Sequence, residues 1–441
     1  MTTKQGLDLA RWAVGEARKQ GANEVGANAR SSRNVDVEVR AGKVEKLQEA
    51  VESGLSLTLF IDHKYSSHST NDLRRDSLER FIAEAVAMTR YLSADEFRAL
   101  PDPKYYAGQE KRELKRVDPS FARTETPERI KRAKEIDAAG LAAGGEKVIS
   151  VQAYYSDGYG FNVKVHSNGF EGQSDSTSFS AHAQATVNDG KGGRPEDYSD
   201  AFARHLKTLP DPAAIGKDAA QRALRKIGQH KVASGKFDLI VENRAASRVF
   251  SPLIGAMNGR SLQQKNSFLE GMLGKTIGSE KLTVREDPFI PEAPGSRLFD
   301  SDGIAARPRT VFEKGVLRTW YIDNYYGRKL GMEPTSGGPT NLLFEPGDKD
   351  LAALTKGLSK GIVVTDFIGG NSNGTTGDFS FGIMGLYVEN GAVQHPINEM
   401  NISGNMKELW KQLAEFGSDP YPYGSWRIPS VHFKEVQFSG V

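Results

Sequence analysis

The chain has 441 residues, too many for one ordinary hydrophobic core, and its 58 lysines and arginines against 56 aspartates and glutamates leave a formal charge of +2. That balance exerts no global pull toward nucleic acid or an anionic membrane, and the absence of cysteine excludes disulfides and thiolate metal ligands. No apolar run approaches the roughly 20 residues needed to span a bilayer. Arg11, Glu16 and Arg18 interrupt any signal-like segment at the start, so a cytoplasmic protein is expected.

Leu7, Ala10, Val14 and Ala17 mark a first amphipathic helix stopped near Gly21. Val35, Val37 and Val39 alternate with polar residues, Ala41-Gly42-Lys43 turns the chain back through Val44 and Leu47, and Leu55 to Ile61 reads as a third strand. His63 and His68 are expected to bracket a solvated polar loop. A helix carrying Leu78, Ile82 and Ala85 follows. Residues 93–125, charged and rich in proline, read as an interdomain connection, and the run Lys111–Arg116 is too mixed in charge to indicate nucleic acid.

Thr126-Pro127-Glu128 starts another helix, with Thr126 as the expected cap. Strands are expected at Val148–Tyr155, Phe161–His166 and Thr177–Val187, then a helix over Pro212–Ile227, whose Arg222, Arg225 and Lys226 suit a helix C-terminus. The order helix, three strands, helix thus occurs twice and suggests a structural duplication. From Lys236 onward the pattern is mainly β. Asn390-Gly391 is a type I′ hairpin signal, short helices are expected at Asp350–Leu358 and Met406–Phe416, and Val431–Phe438 reads as a terminal strand. The fold class is therefore α+β: N-terminal helix/β-meander/helix units, then a mainly antiparallel β, barrel-like C-terminal domain. The expected divisions are 1–92, a linker 93–125, 126–230 and 231–441.

Phe237–Met257 reads as a buried strand feeding a helix, with Asn243 as a plausible N-cap and Ala245, Val249, Phe250 and Leu253 on one apolar stripe. A strand edge meeting a polarised helix end is a common place to build a site. Other motifs are weaker. Gly274-Lys275-Thr276 lacks the glycine a phosphate loop needs, because Leu269 stands there, and reads as a surface turn. Gly370-Asn371-Ser372-Asn373-Gly374 matches G-x-S-x-G, but the chain continues through Thr375 and Asp378 into a strand where a nucleophile elbow needs a helix. A Gly/Asn loop over 369–377 is the simpler reading. None of the eight histidines forms an i, i+4 pair; His395, just past the hairpin, is read as structural.

Three stretches carry a family resemblance: GDFSFGIMGLYVENGAVQHPINEMNISGNM at 377–406, RSLQQKNSFLEGMLGKTIGS at 260–279, and the ending WRIPSVHFKEVQFSG. They resemble the TldD/PmbA proteins, also known as modulators of DNA gyrase, and the N-terminal VDVEVRAGKVEKLQEAVESGLSLTLF extends the resemblance along the chain. It implies a cytosolic metalloprotease built from a catalytic TldD-type subunit and a PmbA-type (TldE) subunit. The implied substrates are unfolded peptides, among them a microcin precursor and a plasmid antitoxin. It also implies a zinc motif H-E-x-x-x-H on the helix after the first strand of the C-terminal domain, and a later cysteine ligand. To within a residue, this chain reads Asn243-Arg244-Ala245-Ala246-Ser247-Arg248 there. Arginine stays protonated and offers no lone pair to a metal.

The resemblance therefore points to the non-catalytic, PmbA/TldE-type subunit, with no catalytic or metal residue of its own and zinc expected in the partner. Heterodimer and homodimer both remain open. Substrate- or partner-facing candidates are Asn371, Ser372 and Asp378 in the Gly/Asn loop, with Glu389, Asn390 and Gly391 in the hairpin. Two alternatives come from other classes. One is an independent hydrolase using Ser372 or a carboxylate pair such as Asp366 and Asp378; the other is a non-proteolytic binding protein acting on gyrase or an antitoxin.

Overall fold

The structure is a computed structural model that describes residues 1–107 and 112–441. Helix α1 (Thr3–Lys19) opens with a capping box, in which the Gln5 amide donates to the Thr2 hydroxyl at 3.2 Å and the Thr2 amide donates to the Gln5 side chain at 2.7 Å. Strands β1 (Glu24–Arg40), β2 (Lys43–Ile61) and β3 (Lys64–Thr70) follow, then α2 (Arg75–Thr89). The second unit repeats the order: α3 (Thr126–Gly144), β4 (Val148–His166), β5 (Glu171–Val187), β6 (Glu196–Ala203) and α4 (Pro212–Arg225).

The two units share one sheet in the order β3-β2-β1-β4-β5-β6. Its centre is the antiparallel pair β1–β4, from Gly26 opposite His166 to Arg40 opposite Gln152. Odd-numbered residues of β1 face one side throughout. Val25, Ala27 and Ala29 pack with α1 and α2, while Val37 and Val39 pack with α3 and α4, so all four helices cover the same face. The α3–α4 contact depends on glycine, since a Cβ on Gly216 would lie 1.9 Å from the Ile136 carbonyl oxygen.

Three strand expectations need correction. Val44–Leu47 and Leu55–Ile61 belong to one strand, β2, and Val148–Tyr155 and Phe161–His166 to one strand, β4. Each unit's third strand is instead a polar edge strand, β3 or β6. Lys64–Thr70 is therefore not a loop, and His68 within it hydrogen-bonds the Ser66 hydroxyl at 3.0 Å. Edge strands need only one apolar neighbour, and polar composition there limits unwanted pairing. Thr126 is the first helical residue and Glu125 the cap, without a side-chain hydrogen bond.

The connection between the units is docked rather than free. Leu100, Leu114 and Phe121 are buried, Leu114 against Phe289 and Ala306. Lys111, where the basic run begins, lies outside the described residues.

The C-terminal half contains β7 (Gly235–Val241), α5 (Ser247–Ala256), α6 (Gly259–Gln263), β8 (Val284–Asp287), β9 (Arg309–Glu313), β10 (Val316–Leu317), α7 (Asn324–Leu330) and β11 (Asn341–Phe344). It continues with α8 (Leu351–Lys356), β12 (Lys360–Ser372), β13 (Asp378–Glu389), β14 (Ala392–Asn405), α9 (Met406–Lys411), β15 (Leu413–Phe416), β16 (Trp426–Arg427) and β17 (Val431–Ser439). The helix expected to run to Phe416 thus stops at Lys411 and gives way to a short strand.

Strands β14, β13, β12, β7 and β17 pair in that order, and β14 also pairs with β17, so the five close into a barrel. Only β7–β12 is parallel among these pairs. A second sheet, β10-β9-β8-β11-β16, shares the same core. Phe250 of α5 is central to it, with ring centroids 4.8 Å from Phe344 and 5.7 Å from Trp410. Among the described residues no helix is long and apolar enough to cross a membrane.

Candidate functional site

Strand β7 lies between β12 and β17 and delivers the chain to residues 242–248 at the barrel rim. Asn243 is not the helix cap; a turn intervenes and Ala246 stands at the cap position without a side-chain bond. The Asn243 side-chain amide instead donates to the Asp419 carbonyl at 2.7 Å, and its backbone N–H donates to the Ser430 hydroxyl at 3.2 Å. The hydroxyl in turn donates a hydrogen bond to the Asp419 carboxylate at 2.7 Å.

The neighbours of Asn243 reach toward the other sheet. Arg244 donates to Asp218 of α4 at 3.0 Å and to the Tyr198 carbonyl at 3.1 Å, and it lies 3.5 Å from Asp200. Glu242 receives two hydrogen bonds from Arg222 of α4, at 2.8 and 2.9 Å. Asp197 completes the cluster, 3.5 Å from Arg222 and 3.1 Å from Lys226. Burial opposes the charge on Arg222, but the hydrogen bonds and charge of Glu242, with Asp197 and Asp218, outweigh it and hold the guanidinium above its usual range. Arg248 turns the other way, donating to the Gly370 carbonyl at 2.7 Å with its guanidinium 4.7 Å from the Phe381 ring centroid.

Glu242, Asn243, Arg244 and Arg248 at the rim of β7 are thus each committed to a structural partner. Sequence reasoning assigned Arg222 and Lys226 to the helix C-terminus; the structure buries both in an ion network between α4 and the barrel. A signal was available, because they are spaced i, i+4 and flank the buried Ala219 and Ala223. The donor set does not suit zinc. Arg244 and Arg248 cannot ligate, the chain has no cysteine, and no cluster of three or more His, Asp or Glu side chains among the described residues is arranged to hold a metal.

The Gly/Asn segment differs from the loop expected of it. Gly369 to Ser372 continue β12, paired with β13, and only 373–377 form the turn. Asn371 and Ser372 are exposed. No side-chain base bonds the Ser372 hydroxyl among the described residues, and a strand follows, so the nucleophile-elbow geometry is absent. Asp366 stands opposite Met384, six residues along β13 from Asp378, which separates the two carboxylates by about 20 Å. They are not a catalytic pair.

Asp378 accepts from Asn405 at 3.0 Å and from Thr376 at 2.7 Å, and these bonds, Asn405 first, hold its carboxyl below the usual range. The Phe268 amide donates to the Gly374 carbonyl at 2.8 Å, so the stretch 260–279 touches this turn just before the stretch 377–406 begins.

The second candidate hairpin has the expected turn, with φ of 49° at Asn390 and 73° at Gly391. Its tip docks on the chain itself: the Asn390 and Gly391 amides donate to the carbonyls of Ser359 and Leu358, each at 2.7 Å. The Glu389 carboxylate accepts a hydrogen bond from the Tyr387 hydroxyl. His395 stacks on His230 with centroids 3.7 Å apart. Gly274 is a surface turn, its amide donating to the Leu317 carbonyl at 2.8 Å.

An antiparallel sheet covered by helices on one face is thus joined to a five-stranded barrel whose rim side chains are engaged in hydrogen bonds and ion pairs. The chain matches PmbA/TldA metallopeptidase domain 1 over residues 29–89, the central domain over 119–227 and the C-terminal domain over 234–440. It belongs to the PmbA/TldD family. A Bacteroides thetaiotaomicron protein named for modulation of DNA gyrase shares 43% identity, with a TM-score of 0.97 and both chains fully covered. The metalloprotease PmbA of Escherichia coli O157:H7 is 29% identical over 92% of this chain and 90% of its own length. TldE from Thermococcus kodakarensis has the same fold at 20% identity, with a TM-score of 0.86 over 98% of this chain and all of that one.

Proposed function

We propose that the chain is the subunit without a metal site in a two-subunit zinc peptidase of the TldD/TldE kind, acting on unfolded peptides. The observation that carries this reading is the use of residues 242–248. Where the resemblance implies zinc ligands and a general base, Asn243, Arg244 and Arg248 make structural bonds to Asp419, Asp218 and Gly370. The partner supplies zinc, and with it Lewis-acid activation of water. This chain supplies shape and an exposed strand end. Ile368, Asn371 and Ser372 at the far end of β12 are solvent-facing and suit contact with a partner or an extended peptide.

The test is to purify the chain alone and together with a TldD-type protein bearing H-E-x-x-x-H, then measure bound zinc and cleavage of an unfolded peptide. Cleavage and stoichiometric zinc are expected only in the mixture. Both appearing in the lone chain would overturn the proposal.

A further inference from the structure

Gly26 and Asn28 of β1 lie on the face of the first sheet that the four helices leave open. The register sets Thr58 and His166 on either side of Gly26, and Ser56 and Lys164 on either side of Asn28. These two cross-strand rows form the floor of a cavity of about 170 Å³, room for roughly six waters. Arg98 to Pro101 of the connection, with Ser301, Asp302, Asn324 and Tyr325 of the C-terminal half, form its walls. The walls are fixed in place. The Leu100 amide donates to Glu24 at 2.8 Å, the Asn324 side chain to the Ala99 carbonyl at 2.7 Å, and the Tyr325 hydroxyl to Asp95 at 2.6 Å.

Three polar groups in this cavity lack the partners their chemistry requires. Arg98 is held between two rings, its guanidinium carbon 3.5 Å from the Tyr325 centroid and 4.3 Å from that of Tyr65. Its N–H groups make no hydrogen bond or ion pair among the described residues. Stacking occupies the faces of a guanidinium and leaves its edge, which carries the donors, free for a planar anion. Lys164 donates to the Ser301 carbonyl alone among the described residues, and burial pushes its pKa down against the pull of Asp302 and Asp300. The side-chain oxygen of Asn28 is buried with no hydrogen-bond partner among the described residues.

Asp302, the one carboxylate among the described residues lining the cavity, already accepts from the Asn324 amide at 3.2 Å. Two cations against one carboxylate select an anion, and the Asn28 oxygen selects a hydrogen-bond donor on the same molecule. Asn28 stands directly opposite Lys164 on the neighbouring strand, about 5 Å away between backbones, so the two ends of the ligand are close together. An α-amino acid carries both groups on one carbon.

We propose that this cavity binds a small free amino acid, with its carboxylate on Arg98 and Lys164 and its amino group on the Asn28 oxygen. The inference concerns the lone chain and stands whether or not the chain serves a catalytic partner.

Calorimetric titration of the full chain with L-alanine, L-leucine and L-glutamate, and with acetate and methylammonium, separates the parts. At least one of the three amino acids is expected to bind at 1:1. Acetate and methylammonium, each with one of the two groups, are expected to bind at least about tenfold more weakly. Arg98→Gln is expected to weaken amino-acid binding about tenfold, and Arg98→Lys to recover only part of the loss. Asn28→Ala is expected to weaken amino-acid binding about three- to tenfold and to leave acetate binding unchanged. Because Asn28→Ala removes an unpartnered buried oxygen, the unfolding midpoint of the free chain is expected to stay level or rise, which separates lost binding from lost folding.

No binding of any of the three amino acids at millimolar concentration overturns the proposal and leaves the cavity to water. Acetate binding as tight as amino-acid binding also overturns it, since the site would then recognise an anion alone. So does amino-acid binding that both Arg98→Gln and Asn28→Ala leave unchanged, because the ligand would then sit elsewhere.

Discussion

Arg222 and Glu242 are joined by two parallel hydrogen bonds, 2.8 and 2.9 Å long, between the last turn of α4 and the end of β7. Only 5% of the Arg222 side chain and 12% of the Glu242 side chain are exposed, so the pair ties the helical layer of the first sheet to the barrel in a water-poor setting. Removing Glu242 takes both direct hydrogen bonds from a buried guanidinium and leaves Asp197, 3.5 Å away, as the nearest carboxylate. Glu242→Ala is expected to cost about 3–5 kcal/mol in urea unfolding. Replacing both, as Arg222→Met with Glu242→Met, is expected to recover most of that loss. Equal destabilisation by the single and double variants would show that the pair is not what holds this seam.

The hairpin at Asn390-Gly391 offers a sharper contrast between neighbouring positions. Gly391 has φ of 73°, and a Cβ there would lie 2.5 Å from the Lys356 carbonyl oxygen. Gly391→Ala is expected to destabilise by about 1–3 kcal/mol and to lift the tip off Leu358 and Ser359. Asn390→Gly relieves a positive φ and is expected to be nearly neutral. Thermal unfolding of the two variants measures the difference, and similar midpoints would contradict the docked tip.

His166 gives the protein an acid-side weakness. Burial, reinforced by the charge of Lys164, pushes its pKa down to about 3, and its Nδ1 lies 3.0 Å from the Tyr106 hydroxyl. The unfolded side chain titrates near 6.5, so between these values the unfolded state binds a proton that the folded state does not. Stability from this site is therefore complete above pH 6.5 and lost as the pH falls toward 3. From pH 7 to pH 5 the loss is about 2 kcal/mol. His166→Gln is expected to flatten the stability–pH slope by that amount; an unchanged slope would remove His166 as its source.

Much of the architecture was legible because periodicity reports burial directly. The helices at Leu7–Ala17 and Leu78–Val86 and the strand at Val431–Phe438 announce themselves through apolar spacing, and Asn390-Gly391 through turn chemistry. The edge strands Lys64–Thr70 and Glu196–Ala203 were not legible, since polar residues on an edge satisfy the sheet through backbone bonds that leave no apolar pattern. The run Val44 to Ile61 looked like two strands because its first part faces solvent on both sides. Asn243 looked like a cap because the residue type suits one, but Asp419 and Ser430, far along the chain, compete for it and win.

For residues 237–257 the division is clear. The sequence by itself determined what two residues of this junction cannot do: the arginines at 244 and 248 stay protonated and offer no lone pair to a metal, whatever the fold. Only the tertiary structure decided what the same residues do instead. It brings Arg222, Asp197 and Asp218 of one sheet and its helix against Glu242 and Arg244 of the barrel, contacts between residues 20 to 46 positions apart. Such pairing depends on how two independently patterned layers dock, and local spacing carries no record of it.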